Sequence, residues 1–256
     1  MKNVLRGIGR LTPDIRYLRA ISTRVLTPIH HALGYGGGTV DVLGSKMALD
    51  PRECVDNGLW FQPHLYDREE RAFVVANASS GVFFDVGANI GFWSLFLARQ
   101  FATSRIVSIE ANPKTAEILR HNVAINGYEH IEVVETGVGP DRGHFDLYLN
   151  TTGNRGGDSF VADTSRAHRI KVEVERISAL IESRGITSIE FMKMDVEGME
   201  EGVFSDIFAH LPRPTWPRLI CVETLHSPNI AALLERHGYR VVLQARENSI
   251  FRIDVG

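Results

Sequence analysis

The chain has 256 residues, of which 44% are hydrophobic and 23% charged, and its formal net charge is -3 with a pI near 6.4. This composition is typical of a globular protein with one large core, and a slightly acidic chain lacks the basic balance of a nucleic-acid-binding domain, so we expect no nucleic-acid partner. The sequence contains no apolar run of about 18 residues and its start lacks the apolar stretch of a signal peptide, so we expect a cytoplasmic protein.

Residues 1–80 are predicted to form a basic arm followed by a cap or substrate region. Within residues 1–35, six Lys or Arg side chains stand against Asp14 alone, so six minus one gives the arm a charge of +5. Apolar residues are interleaved with these charges at a partly helical spacing that Pro13 interrupts. We therefore weigh a solvated arm, peripheral contact with an anionic membrane, and packing on a second copy of the chain or over a substrate cleft. Residues 66–79 then indicate a helix.

Residues 81–256 are predicted to form a second unit in which strands alternate with helices. This alternation is typical of a parallel sheet covered by helices on both faces. The last two strands are separated by a short polar turn, which predicts an antiparallel hairpin at the C-terminus. The predicted strands are Val82–Val86, Arg105–Glu110, Ile131–Glu135, Ile189–Met194, Arg218–Thr224, Arg240–Gln244 and Ser249–Ile253. The predicted helices lie near Phe92–Phe101, Pro113–Asn126, Ile177–Arg184, Gly198–Leu211 and Asn229–His237.

The stretch "FFDVGANIGFWSLFLA" places a glycine turn between the first of these strands and its helix. Gly87 and Gly91 lack side chains, so we expect them to let a ligand approach the backbone. The spacing is not the GxGxxG of dinucleotide-binding proteins, and the Asp85 carboxylate would repel a pyrophosphate. A cationic ligand without phosphate, such as S-adenosylmethionine, suits an aspartate at this position.

A second carboxylate supports the same ligand. Glu110 ends the next predicted strand, 25 residues after Asp85. At that position a carboxylate can accept both hydrogen bonds of a ribose diol. Asp85 and Glu110 together therefore favour S-adenosylmethionine as the cofactor.

The motifs together resemble those of the FkbM-type S-adenosylmethionine-dependent methyltransferases. The resemblance runs from Met47 to Val241 and rests on "DVGANIG", "EANP", "HNVAINGY", "MKMDVEGMEEGVF" and "CVETLH"; "VERISAL" at 174–180 departs from the usual Leu-Asp pair. It implies an α/β, Rossmann-like class I methyltransferase fold, with a seven-stranded mostly parallel sheet, a C-terminal antiparallel hairpin and an N-terminal extension. The expected cofactor-binding residues are Asp85, Gly87, Ala88, Asn89, Gly91, Glu110, Asn112, Thr136 and Asp195.

Polar side chains at the ends of two later strands are the candidate catalytic residues. Asp195 and Glu197 follow one strand, and Glu223 and His226 follow the next. Histidine has a pKa near neutrality, so His226 is the best-matched general base for removing a hydroxyl proton. Asp195, Glu223 and His226 could instead bind a divalent cation, although we expect no metal because their spacing is not diagnostic. The polar run at 151–159 is a candidate substrate lid.

The resemblance implies methyl transfer to a hydroxyl of a sugar, glycan or secondary metabolite, so the expected partner is a small-molecule or glycan acceptor, and a homo-oligomer is left open. Two alternatives remain from the residues. One is a nucleotide-binding oxidoreductase on a similar sheet, which the missing GxGxxG disfavours. The other is a non-catalytic S-adenosylmethionine-binding protein, which the acids at both cofactor positions disfavour.

Overall fold

The computed structural model describes residues 1–150, 153–161, 168–224 and 229–253. Within these ranges the N-terminal elements are helices α1 and α2, a hairpin of β1 and β2, and helices α3 and α4. No helix among the described residues is long and apolar enough to cross a membrane. The bounds are α1 (Lys2–Arg10), α2 (Arg16–Ala32), β1 (Gly38–Val42), β2 (Ser45–Leu49), α3 (Cys54–Phe61) and α4 (Arg68–Asn77).

The remaining elements alternate as predicted, with one addition between β5 and β9. They are β3 (Val82–Val86), α5 (Phe92–Gln100), β4 (Arg105–Glu110), α6 (Pro113–Ala124), β5 (Ile131–Glu135), β6 (Gly137–Gly139), β7 (Gly143–Tyr148), β8 (Arg169–Arg176), α7 (Ile177–Ser183), β9 (Ile189–Met194), α8 (Glu200–His210), β10 (Pro217–Glu223), α9 (Ile230–Arg236), β11 (Tyr239–Gln244) and β12 (Asn248–Ile253).

Seven of these strands form one sheet in the order β11-β12-β10-β9-β3-β4-β5. The pairs among β10, β9, β3, β4 and β5 are parallel, whereas β12 runs antiparallel to both β10 and β11. This arrangement confirms the predicted fold class, including the C-terminal hairpin. It also brings the carboxyl ends of β3, β4, β9 and β10 to one edge, where parallel sheets of this kind bind ligands.

Two buried apolar clusters cover the two faces of the sheet. One cluster contains α7, α8 and α9 residues packed on the strands. The other combines Phe83 and Trp93 with N-terminal residues such as Leu5, Leu26 and Trp60. The hypothesis of a solvated arm is therefore wrong for α1 and α2, because each buries a leucine in this cluster. The predicted division of the chain at residue 80 stays a prediction.

Two elements that position the site were not predicted from the sequence. The first is a three-stranded sheet of order β6-β8-β7. The second is α3, whose sequence "CVDNGLWF" carries a central glycine that weakens helix propensity. Leu59, Trp60 and Phe61 at its end are fully buried, so tertiary packing stabilises a helix that local propensity does not favour.

Candidate functional site

A cavity of about 350 Å³ lies at the carboxyl edge of the central sheet. The turn after β3, the end of β4 and the residues after β9 form its floor, and the segment 153–161 covers part of it. Seven of the predicted cofactor residues line the cavity, namely Asp85, Gly87, Ala88, Asn89, Glu110, Thr136 and Asp195. Gly91 and Asn112 are not among the residues that line it.

Asp85 is fixed on β3 between two other strands. Its register partners are Ser108 on β4 and Lys193 on β9. Only 2% of Asp85 is exposed, and Ser94 donates its hydroxyl to Oδ2 over 2.5 Å. Burial raises the pKa of Asp85 to about 6, while the Ser94 hydrogen bond and the Lys193 charge lower it.

The packing around the turn requires both of its glycines. A Cβ on Gly87 would lie 1.8 Å from the carbonyl oxygen of Asp195, and a Cβ on Gly91 would lie 2.3 Å from Cδ1 of Leu119. Both residues also have positive φ, at 78° and 92°. The glycines therefore allow the turn to pack against the end of β9 and against α6. Gly87 also lines the cavity, and the expectation that the glycines let a ligand approach the backbone stays a prediction.

Glu110 is held at the end of β4 by two backbone donors. The N–H of Asn89 donates to Oε2 over 2.9 Å and the N–H of Asn112 donates to Oε1 over 2.8 Å. Burial raises the pKa of Glu110 to about 7, while these two hydrogen bonds lower it. Oδ1 of Asn89 is buried and has no hydrogen-bond partner among the described residues.

These features fit S-adenosylmethionine. Two carboxylates suit its cationic and diol groups, and each retains lone pairs for a further donor. The unpartnered Asn89 oxygen offers another acceptor. The cavity wall beside Thr136 is mostly apolar, as a purine ring requires; it is formed by Ala111, Gly137, Val138, Leu147 and Phe160.

Asn112 acts behind the cavity instead of in it. Its Oδ1 accepts the N–H of Lys114 and so caps α6, as the sequence predicted. Its Nδ2 donates to Oδ2 of Asp158 over 2.7 Å. Asn112 therefore connects α6 to the segment that covers the cavity.

The segment 153–161, the described part of the predicted lid, is attached on both sides of the cavity. On one side the N–H of Cys54 donates to the Gly153 carbonyl, and Nη2 of Arg155 lies 3.1 Å from Oδ2 of Asp56. On the other side the Ser159 hydroxyl donates to the Glu197 carbonyl over 2.8 Å. The segment thus bridges α3 and the end of β9.

The predicted catalytic acids lie together at the other end of the cavity. Carboxylate oxygens of Asp195, Glu197 and Glu223 are all within 4.8 Å of one another. Nζ of Lys193 lies 3.2 Å from Oδ2 of Asp195 and 3.1 Å from Oδ1 of Asn248. His226, the predicted general base, lies outside the described residues.

Sequence reasoning missed several residues that line this end: Tyr66, Asp67, Lys193, Glu247 and Asn248. Lys193 lies within the "KMD" that follows a buried strand, so its position at the strand end was a usable signal. Asp67 and Glu247 come from a turn before α4 and from the β11–β12 turn. Their meeting depends on tertiary packing, which spacing along the chain does not show.

The fold and the cavity define a class I methyltransferase. A family model described as a methyltransferase FkbM domain matches residues 85–241, more than half of the chain. Methyltransferase sdnD of Sordaria araneosa is 26% identical over 223 residues, which cover 73% of this chain and 82% of the relative. The 31-O-demethyl-FK506 methyltransferase FkbM of Streptomyces tacrolimicus is 29% identical over 196 residues, with 64% and 74% coverage. The solved M. jannaschii TYW2 in complex with AdoMet is 13% identical, covers 86% of this chain and 87% of that chain, and has a TM-score of 0.45.

The chain belongs to the FkbM methyltransferase family. It is a methyltransferase whose cofactor is S-adenosylmethionine. The family is one of methyltransferases, so the oxidoreductase alternative is wrong.

Proposed function

We propose that the enzyme transfers a methyl group to a hydroxyl oxygen of a small-molecule or glycan acceptor, such as a sugar or a secondary metabolite. The observation that supports this most is the arrangement of one continuous cavity. Asp85 and Glu110 lie where a donor would be held, and Asp195, Glu197 and Glu223 lie at the end left for an acceptor. The name of the Streptomyces tacrolimicus relative, which specifies a 31-O-demethyl substrate, agrees with transfer to oxygen in that protein.

The chemistry required of the chain is limited. S-adenosylmethionine supplies an electrophilic methyl group when it is bound. The residues must orient the acceptor, exclude water and accept the hydroxyl proton. The segment 153–161 can exclude water from the cavity, and carboxylates at the acceptor end can orient hydroxyl groups by accepting their hydrogen bonds.

Transfer from a methyl-labelled donor tests the proposal. The enzyme is incubated with labelled S-adenosylmethionine and fractionated extract of the source cell, and the labelled product is located by mass spectrometry. We expect the label on an oxygen of a small molecule or glycan. Label on nitrogen or carbon, or on protein or nucleic acid alone, would contradict the proposal. Asp85→Asn serves as the control that should lose the label.

A further inference from the structure

A second cavity of about 240 Å³ adjoins the first. Its walls are formed by residues of the N-terminal arm, α3, the α3–α4 connection, the start of α4 and the β11–β12 turn. Four residues line both cavities: Tyr66, Asp67, Glu247 and Asn248. The donor cavity therefore meets a separate space at these residues, on the side away from Glu110 and Thr136.

Asp67 has an unusual backbone at this junction. It precedes the first residue of α4, a position where aspartate normally caps the helix with its side chain. No such capping bond forms, and the residue has left-handed dihedral angles, φ 44° and ψ 43°. Strained backbone angles at a non-glycine residue are typical of functional sites.

One oxygen of the Asp67 carboxylate accepts a hydrogen bond. Nε1 of Trp93 donates to Oδ2 over 2.8 Å. Oδ1 accepts no hydrogen bond from the described residues. The indole thus orients the carboxylate and leaves one oxygen for a further donor at the junction of the cavities.

Charged groups around Asp67 support a proton acceptor at neutral pH. Burial raises the pKa of Asp67 to about 6, Lys193 and the Trp93 hydrogen bond lower it, and Glu70 and Asp195 raise it. Lys193 stays near because Asn248 accepts from its Nζ and donates to Oε1 of Glu70. At pH 7 the carboxylate is mostly ionised and can take a proton.

The other carboxylates nearby are less suited to this role. Asp195 already pairs with Lys193 at 3.2 Å. Glu247, which also lines both cavities, is exposed to solvent. Of the two acids at the junction, Asp67 is the less exposed, and Trp93 orients it by a hydrogen bond.

We propose that the second cavity admits the acceptor and that Asp67 accepts the proton of the acceptor hydroxyl. As the oxygen forms its bond to the methyl carbon, the methyl–sulfur bond breaks and its electron pair stays on sulfur. The hydroxyl proton passes to Asp67, so charge and atoms balance, and the donor leaves as a neutral thioether. This inference rests on the proposed function.

The walls of the second cavity indicate a polar acceptor. Seven of the thirteen residues that line it are charged: Asp14, Asp67, Arg68, Glu69, Glu70, Arg246 and Glu247. Asp14 lies 3.5 Å from Arg68 and 3.7 Å from Arg246, so the arm closes one side of the cavity through ion pairs. Such walls favour a hydroxyl-rich portion of a molecule over a hydrocarbon chain.

The first experiment needs no acceptor. Asp67→Cys is made in a Cys54→Ser background, and alkylation by iodoacetamide is followed with and without saturating S-adenosylhomocysteine. The Cys54→Ser single variant is the control, because Cys221 is buried. Thermal shifts with S-adenosylhomocysteine verify that both variants fold. We expect the thiol introduced at position 67 to stay reactive when the donor cavity is filled. Loss of labelling on filling it would overturn the separate acceptor entrance.

The second experiment measures transfer by Asp67→Asn, which is isosteric and retains an acceptor for Trp93. We expect S-adenosylhomocysteine affinity to stay near that of the wild type and labelling of the acceptor fraction to fall by about 100-fold or more. Transfer should recover as pH rises, because hydroxide replaces the base. Glu117→Gln, on the exposed face of α6, is the control.

Unchanged transfer by Asp67→Asn, or a loss confined to His226→Ala, would overturn the role of Asp67. A wild type that binds donor but labels no oxygen contradicts the proposed function alone, and the alkylation result still decides the acceptor entrance.

Discussion

At the scale of single residues, Asp85 and Glu110 combine burial with a small number of fixed donors. Each carboxylate is enclosed at the carboxyl edge of the sheet, and burial raises both pKa values, to about 6 and about 7. The folded protein without ligand therefore holds these protons more tightly than the unfolded chain does. A cationic ligand favours the ionised forms, so binding and proton release are linked.

This linkage predicts how stability depends on pH. Because the folded pKa values are raised, the stability contribution of these two acids is full below the unfolded pKa of about 4 and is lost as pH rises to about 7. We expect the Tm of the ligand-free protein to fall over this window and the Tm increase caused by S-adenosylhomocysteine to be larger at pH 8 than at pH 5.5. Scanning calorimetry of the wild type and Glu110→Gln measures both effects. An equal pH dependence in the two proteins would contradict the assignment to Glu110.

The acids at the acceptor end give a prediction about metals. Asp195, Glu197 and Glu223 lie close enough to hold a divalent cation, but the buried ammonium of Lys193 lies 3.2 Å from Asp195 and would repel one. We expect neither EDTA nor added Mg²⁺ to change the rate of methyl transfer. Loss of transfer with EDTA and its recovery with Mg²⁺ would show that a metal is required. The assay is the labelled-donor transfer at pH 8.

At the scale of elements, Arg155 supplies the ion pair that holds the segment 153–161 to α3. Arg155 lies 3.1 Å from Asp56, which is 1% exposed, and its backbone N–H donates to Glu53. Oδ1 of Asp56 has no partner among the described residues. A buried carboxylate with one cationic partner depends strongly on that partner.

Removing this partner should loosen the segment. Arg155→Ala leaves the Asp56 charge buried without its cation, which costs about 3 kcal/mol of stability. We expect faster cleavage by chymotrypsin at Phe160 and weaker binding of S-adenosylhomocysteine. Arg142→Ala is the control, since Arg142 is an exposed arginine paired with surface glutamates on β8. Cleavage and affinity equal to those of the control would exclude a lid held by Arg155.

On the N-terminal arm, basic side chains of α1 contact the protein, whereas many apolar side chains are exposed to solvent. Arg6 and Arg10 donate to the carbonyl of Asp41, so these side chains of α1 contact the protein itself. Exposed apolar side chains instead lie on the outer side, including Leu11 at 83% exposed. Nine of the thirteen large exposed apolar residues in the described chain lie on this arm: Met1, Val4, Ile8, Leu11, Ile15, Leu18, Val25, Ile29 and Leu33.

If these exposed apolar side chains contact a membrane, they should dominate the binding. We expect co-sedimentation with vesicles to fall by about tenfold or more when Ile8 and Leu11 are both changed to serine. Added salt should weaken it little, since the α1 cations are already engaged. Val241→Ser, at an exposed site on β11, is the control. Absence of vesicle binding by the wild type, with dimers in sedimentation velocity, would favour a second copy of the chain as the partner.

How much the sequence predicts differs between elements. The strands β3 and β4 follow from β-branched and aromatic runs that end before Gly87 and before Asn112-Pro113, because local chemistry determines those boundaries. In contrast, apolar and charged residues alternate in "RIKVEVER" of β8, but its partner strands β6 and β7 are short or polar. The three-stranded sheet was therefore not predicted. Asp67 escaped prediction because it meets Trp93 and Lys193 only after α4 packs on the sheet.

At the scale of the whole molecule, the N-terminal elements and the sheet form one site. The sheet supplies the residues around Asp85 and Glu110, and α3, the turn before α4 and the β11–β12 turn line the cavity on the other side. Family membership establishes the class of reaction. Two residues of the proposed acceptor entrance, Asp67 and Glu247, lie outside the family match at residues 85–241. The fold and the class of reaction therefore do not determine the acceptor.

The central claim is that Asp85 and Glu110 hold S-adenosylmethionine in this cavity, and isothermal titration calorimetry with S-adenosylmethionine tests it most directly. We predict binding of one ligand per chain by the wild type. Glu110→Gln should lose about 1.5 to 3 kcal/mol of binding free energy, because a charged acceptor is removed. Glu135→Gln is the matched control, since Glu135 is the register partner of Glu110 at the end of β5 and does not line the cavity. Absence of binding by the wild type, or equal affinity in Glu110→Gln and Glu135→Gln, would contradict the account.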